Sequence, residues 1–173
     1  TLSVNPTKVT LRDKRFDRLY LYDASTLELT VADTKSKVVT PRMTQVISYK
    51  SYGGDVVLYS TKNEAQPGKT IVKLWDKDKA YTLRIMEESD MLLDLARYDG
   101  TWYMAVTSVK EGKLYVFKDP FDKLKADKPT TPTSYIVMKI PSPTKLAFSA
   151  NTRFVSVQSA GHFVVYDFEE NER

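Results

Sequence analysis

A strand that closes on an aromatic residue and then an aspartate recurs four times along this chain. The four strings are Leu19-Tyr20-Leu21-Tyr22-Asp23, Val72-Lys73-Leu74-Trp75-Asp76, Leu114-Tyr115-Val116-Phe117-Lys118-Asp119 and Phe163-Val164-Val165-Tyr166-Asp167. Their aromatics, Tyr22, Trp75, Phe117 and Tyr166, stand 53, 42 and 49 residues apart. A repeat of about 40–50 residues with about four short strands in each unit is what a β-propeller produces. One such sheet cannot cover its own apolar faces, so it must stack on its neighbours. The aromatic is expected to pack between adjacent sheets. The aspartate is expected at the turn that ends the strand.

The remaining sequence agrees with an all-β chain. Val, Ile and Thr number 17, 5 and 18 among 173 residues, beside 11 tyrosines, and these residue types favour strands. Short alternating runs separated by turn residues give about fourteen strands. Gly53-Gly54-Asp55, Asp99-Gly100 and Glu111-Gly112 offer the positive-φ positions of tight hairpins. Gln66-Pro67-Gly68 reads as a type II turn. Only the segment from Pro120 to Asp127 has helical character, and Pro129 and Pro132 stop it after one or two turns.

The strands group into blades at residues 44–86 and 91–140. Partial blades are expected at 1–40, with about three strands, and at 145–173. The chain is thus about four blades of four-stranded antiparallel sheets. Either it is a portion of a larger propeller, or its two ends pair to close a small ring. A portion would leave apolar end faces open, and these would self-associate.

The chemical inventory is narrow. There is no cysteine and one histidine, His162, so thiol catalysis, disulfides, zinc fingers and iron–sulfur sites are excluded. No apolar run approaches the ~18 residues needed to span a bilayer. The chain begins at Thr1 without a signal-peptide pattern, which suggests a processed or excised segment. The net charge of +4 comes from 26 basic and 22 acidic residues, interspersed, which describes a solvated surface better than a nucleic-acid stripe.

Several longer strings carry a family resemblance. They are Asp17-Arg18-Leu19-Tyr20-Leu21-Tyr22-Asp23, the run Leu92 to Gly100, Lys113 to Pro120, and Ala147-Phe148-Ser149-Ala150-Asn151-Thr152-Arg153-Phe154. With the aromatic-Asp strand ends they resemble WD40-like bacterial propellers, and in particular the propeller region of PEGA-domain-containing proteins. The resemblance covers nearly the whole chain. It implies a bacterial protein with a membrane-spanning segment and a small sandwich domain before the propeller. That places this segment outside the cytoplasm, anchored but not inserted. It implies no catalytic residue. The Gly-His pair that opens a WD40 repeat is not in place, because Gly161-His162 begins a third strand.

Each chemical motif has a structural reading beside the functional one. Asp76-Lys77-Asp78-Lys79 with Glu87 has the spacing of a calcium loop, but Tyr81 occupies the place of its glycine, so it reads as a charged hairpin turn. Asp99-Gly100-Thr101-Trp102 reads as a hairpin before a core tryptophan, since Arg97 stands where an Asp-box needs Ser or Thr. His162 lacks a nucleophile elbow. Glu87, Glu88, Asp90 and Asp94 form the densest carboxylate group, which a glycan-active enzyme could use if two of them faced one cleft. Asp94 could instead hydrogen-bond a neighbouring turn. Arg12, Lys14, Arg15 and Arg18 around Phe16 could meet phosphates, but Asp13 and Asp17 interrupt them.

The candidate binding residues are Arg15, Tyr52, Tyr98, Trp102 and Phe121, with Tyr49 beside them, because they lie near loop ends. Rings there suit partner contact, and inter-blade packing is the competing use. The expectation is a non-catalytic interaction module or scaffold that binds protein or glycan through propeller loops, with no metal, cofactor or nucleic acid. A carboxylate-dependent glycan-active enzyme and a structural spacer are the alternatives.

Overall fold

The computed structural model describes residues 4–5, 8–13, 18–33, 35–37, 43–51, 56–77, 79–128, 132, 134–151 and 153–168. The side chains of residues 4–5, 8–13 and 18–19 lie outside that description. The described residues form four antiparallel sheets in sequence order. The first is β1 (Val4–Asn5), β2 (Lys8–Asp13), β3 (Arg18–Asp23) and β4 (Glu28–Asp33). The second is β5 (Val46–Ser51), β6 (Val56–Lys62), β7 (Thr70–Asp76) and β8 (Lys79–Met86). The third is β9 (Met91–Tyr98), β10 (Thr101–Ser108), β11 (Lys113–Lys118) and β12 (Ile136–Lys139), with helix α1 (Phe121–Leu124) between β11 and β12. The fourth has three strands, β13 (Pro143–Phe148), β14 (Phe154–Ser159) and β15 (His162–Asp167).

The first sheet departs from the sequence expectation of three strands. Where one strand was expected from Ser3 to Leu11 there are two, with Val4 paired to Val9 and Asn5 to Lys8. Pro6, which has no amide to give to a ladder, stands in sequence between the two strands.

The hairpins follow from turn chemistry. Asp99 and Gly100 both have positive φ, 47° and 77°, as a two-residue primed turn requires. Gly68 takes φ 89°, the left-handed position of a type II turn. Pro120 precedes a single helical turn, which buries Leu124.

Three apolar layers lie between the four sheets. Val57, Tyr59 and Trp75 of the second sheet meet Tyr20, Leu29 and Val31 of the first. On the opposite face, Val56, Leu58, Val72 and Leu74 meet Leu93, Leu95, Met104 and Phe117 of the third. Tyr103, Ala105, Leu114 and Val116 of the third sheet then meet Val155 and Val157 of the fourth. The second and third sheets are therefore covered on both sides. That is why β6 is buried continuously from Val56 to Thr61, and β10 from Tyr103 to Ser108, with no alternation. Each fully buried Leu or Val contributes about 1.5–3 kcal/mol. At the inner edge, β9 lies against β5 on one side and β13 on the other.

The repeat aromatics pack between sheets, with one change of phase. Trp75, Phe117 and Tyr166 each face the sheet that precedes their own. Tyr22 faces the sheet that follows, so Tyr22 and Trp75 share one layer. Its hydroxyl donates to the Val46 carbonyl at 2.8 Å, and its ring lies 5.6 Å from that of Tyr49.

Candidate binding face

The β7–β8 and β9–β10 hairpins and α1 come together at one end of the second and third sheets. Pairing of Asp76 with Lys79 and of Tyr98 with Thr101 closes the two hairpins. Lys79 and Tyr81 are two apart on β8, so they share a face. The Tyr81 ring meets Phe121 edge-on, with centroids 6.5 Å apart. Cations surround the pair: Lys79 Nζ is 5.3 Å from the Tyr81 centroid, and Lys125 Nζ is 4.8 Å from that of Phe121. Lys125 also forms an ion pair with Asp76, which ties α1 to the second sheet.

The same end of the third sheet repeats the pattern. The Arg97 guanidinium lies 5.2 Å from the Trp102 ring, and Tyr98 beside it is 46% exposed. The Trp102 backbone is fixed from both directions. Its N–H donates to Asp119 Oδ1 at 2.8 Å, and its carbonyl accepts the Asp119 N–H at 2.8 Å. A cleft of about 560 Å³ adjoins α1 and is lined by Lys118, Lys123, Ser134 and Tyr135 among others. Lys118 Nζ lies 5.1 Å from the Tyr135 ring. Rings with cations beside them suit acidic or hydroxyl-rich partners, each contact giving about 0.5–1 kcal/mol at exposed sites.

Of the residues singled out from sequence, Trp102 and Phe121 lie at this end on the side that faces the second sheet, whereas Tyr98, one residue on from the Arg97 that pairs with Trp102, points to the other side of the third sheet. Trp102 and Phe121 also pack against the layer between the second and third sheets, so they serve both uses proposed for such rings. Arg15 and Tyr52 lie outside the described residues, as do Lys14, Phe16 and Gly53-Gly54-Asp55. Lys79, Tyr81, Arg97 and Lys125 were not singled out. The Lys79-Ala80-Tyr81 spacing carried the signal, but the lysine read as turn and the tyrosine as strand.

The carboxylates are held in structural contacts. Asp94 Oδ2 accepts the Phe148 N–H at 2.8 Å, and Oδ1 accepts the Leu95 N–H at 2.9 Å. Glu88 accepts the Lys110 N–H at 2.7 Å, and Glu87 pairs with Lys69 at 2.9 Å. Asp167 takes a two-toothed contact from Arg153, the shorter bond being 2.8 Å. The run from Asp76 to Glu87 is a strand hairpin and not a calcium loop. His162 opens β15 on the surface.

Among solved structures, the chain resembles dihydro-heme d1 dehydrogenase NirN in complex with DHE. The TM-score is 0.55 at 12% identity, over 98% of this chain and 35% of that one. The fold is that of a β-propeller. Kluyveromyces lactis Hsv2 follows with a TM-score of 0.46 at 12% identity, covering 99% of this chain and 66% of its own. The β-propeller domain of Myceliophteria thermophila Cps50 (Swd1) gives 0.44 at 10% identity, covering 100% and 69%. No protein-family model matches the propeller sequence, and no curated protein matches it. The chain spans about a third of the length of NirN.

Proposed function

We propose that this propeller segment is a non-catalytic binding or scaffold module that takes a protein partner on the Tyr81–Trp102–Phe121 face. The observation that carries the reading is the placement of Lys79 and Arg97 against rings on hairpins of two adjacent sheets, with Lys125 against the Phe121 ring of α1 between them. Rigid sheets hold those hairpins, and rings give contact area at small entropic cost. The partner surface that fits is acidic. A glycan is the second ligand class, since sugars also stack on rings.

The carboxylates support a role without catalysis. Asp94, Glu87, Glu88 and Asp167 are engaged in joining strands and turns, where a hydrolase would need two of them facing one cleft. The strings that resemble the propeller region of PEGA-domain-containing proteins favour a place outside the cytoplasm, with the anchor elsewhere in a longer protein.

The test is affinity capture from a bacterial envelope extract, beside a glycan array. Lys79 and Arg97 are exposed, so Lys79→Glu and Arg97→Glu together leave the fold intact. The expected result is a partner retained by the native chain and lost at least tenfold by the variant. Equal retention by both, or turnover of glycan substrates by the native chain, overturns the proposal.

A further inference from the structure

The loop between β6 and β7 spans residues 63–69, whereas the matching loops of the third and fourth sheets span only 109–112 and 160–161. Its own bonds order it. The Asn63 N–H donates to the Lys69 carbonyl at 3.1 Å, and Asn63 Oδ1 accepts the Ala65 N–H at 3.1 Å. Beside it lies a cleft of about 410 Å³, lined by Ile47, Lys62, Glu64, Pro67, Thr70 and Ser89 among others. The cleft stands at the opposite end of the second sheet from the β7–β8 hairpin, in the middle of the chain and among described residues. One wall is reshaped by the backbone. Gln45 takes φ 56°, and the β5–β6 register shifts between Val46 and Ser48, which leaves Ile47 as the extra residue of a bulge. Bulges re-aim a side chain, and Ile47 here lines the cleft.

A buried hydroxyl marks the cleft as a place for a ligand. Six polar residues are buried among the described ones, all of them Ser or Thr. Five are satisfied within the fold. Ser60 bonds to Ser48, Thr61 to the Thr44 carbonyl, Thr107 to the Leu92 N–H, Ser108 to the Glu111 N–H and Ser159 to the Pro141 carbonyl. Thr70 is 2% exposed and lines the cleft, and its hydroxyl has no hydrogen-bond partner among the described residues. Such a group is costly to leave unmet, so a ligand that meets it gains by doing so.

Charge stands at the same place. Lys62 is the cross-strand partner of Thr70, so the two side chains share a face. Glu64 follows two residues on. Lys69, on the other limb of the loop, pairs with Glu87 at 2.9 Å, whereas Lys62 and Glu64 have no ion-pair partner among the described residues. The walls are otherwise mostly apolar.

We propose that this cleft binds a free aliphatic amino acid, a small zwitterion with an apolar side chain. Lys62 and the Thr70 hydroxyl take its carboxylate, Glu64 takes its ammonium group, and Ile47 and Pro67 take its side chain. Neighbouring opposite charges match a ligand that carries both, which the interior of a peptide does not. Mostly apolar walls disfavour a sugar, whose hydroxyls would go unmet there. The volume lies within the range of small-molecule sites.

Calorimetry with leucine, leucinamide and N-acetylleucine tests this, since the last two each lack one charge. The native chain should bind leucine about tenfold more tightly than either, as the loss of one charged hydrogen bond implies. Lys62→Gln should bind leucine no better than leucinamide, and Glu64→Gln should bind it no better than N-acetylleucine. Thr70→Val keeps the shape and removes the hydroxyl, so it should weaken leucine binding without lowering the urea midpoint. Lys62 and Glu64 are exposed, so their variants carry the test even if Thr70→Val does not fold. The proposal is overturned if millimolar leucine gives no binding heat, if the three compounds bind alike, or if both charge variants keep the native preference. Tighter binding of N-acetylleucine, which imitates the C-terminus of a peptide, or of glucose would overturn it too.

Discussion

Asp94 of β9 holds the backbone of β13, its Oδ2 accepting the Phe148 N–H at 2.8 Å. The two strands belong to different sheets and lie side by side at the inner edge. A charged acceptor makes a stronger bond than a neutral one. Asp94→Ala should therefore destabilise the chain by about 1–3 kcal/mol, and Asp94→Asn by less, in urea unfolding. An unchanged midpoint for the alanine variant would show that the contact contributes nothing.

Burial on both sides of the second sheet sets a contrast between two apolar residues. Leu74 is fully buried, whereas Ile85 on β8 is 52% exposed. Leu74→Ala should cost about 2–5 kcal/mol through lost transfer energy and a cavity. Ile85→Ala should stay within about 0.5 kcal/mol of the native chain. Equal losses would mean that the layer between the second and third sheets is not closed as described.

Alkaline pH should weaken the fold through its tyrosines. Burial pushes the Tyr59 phenol from its ordinary 10.0 up to about 12. The folded chain keeps that proton where the unfolded chain releases it. The contribution is whole below pH 10 and is lost as pH rises toward 12, about 3 kcal/mol in all. Tyr22, Tyr49 and Tyr115 are raised as well and act in the same sense. Tyr59→Phe should flatten the fall in urea midpoint above pH 10, and a parallel fall in both proteins would refute the assignment.

The Asp99-Gly100 turn offers a backbone test. Gly100 has φ 77° and open space around the position of a Cβ. Gly100→Ala should thus cost about 1 kcal/mol from conformation alone. Gly100→Asn, which tolerates the left-handed region, should cost less. A thermal melt that ranks asparagine below alanine would count against the turn.

Binding at the aromatic and cationic face should depend on salt. The charges of Lys79 and Arg97 are solvent-exposed, and such attraction is screened at a Debye length of about 8 Å at physiological ionic strength. Affinity for the captured partner should fall as salt rises from low to molar concentration. Salt-independent binding would point to an apolar contact elsewhere.

Much of the fold was legible because the propeller repeat is written in residue types with narrow uses. The aromatic-Asp strand ends located four sheets, and Asp99-Gly100 fixed its hairpin by φ alone. The first sheet was read one strand short, since Pro6 lies inside an apolar run that holds two strands, with Asn5 paired to Lys8. Tyr22 was read as one of four equivalents, yet it faces the other way, because the phase of a strand is set by which face its neighbours cover. The candidate face was only half legible. Trp102 and Phe121 announced themselves as rings near turns, whereas Lys79 and Lys125 become part of the face only when α1 folds against β8.

The stacking of the second and third sheets has a metrical consequence for recognition. Facing sheets sit about 10 Å apart because interlocked side chains fill the gap. Tyr81 rides on one sheet and Trp102 on the next, so the interval between their hairpins is a property of Leu58, Leu74, Met104 and Phe117, none of which a partner can touch. A ligand gripping both hairpins would be measured against a ruler whose graduations are cut in the interior. Enlarging or trimming those buried residues would then alter which partner lengths fit, without changing a single atom of the surface.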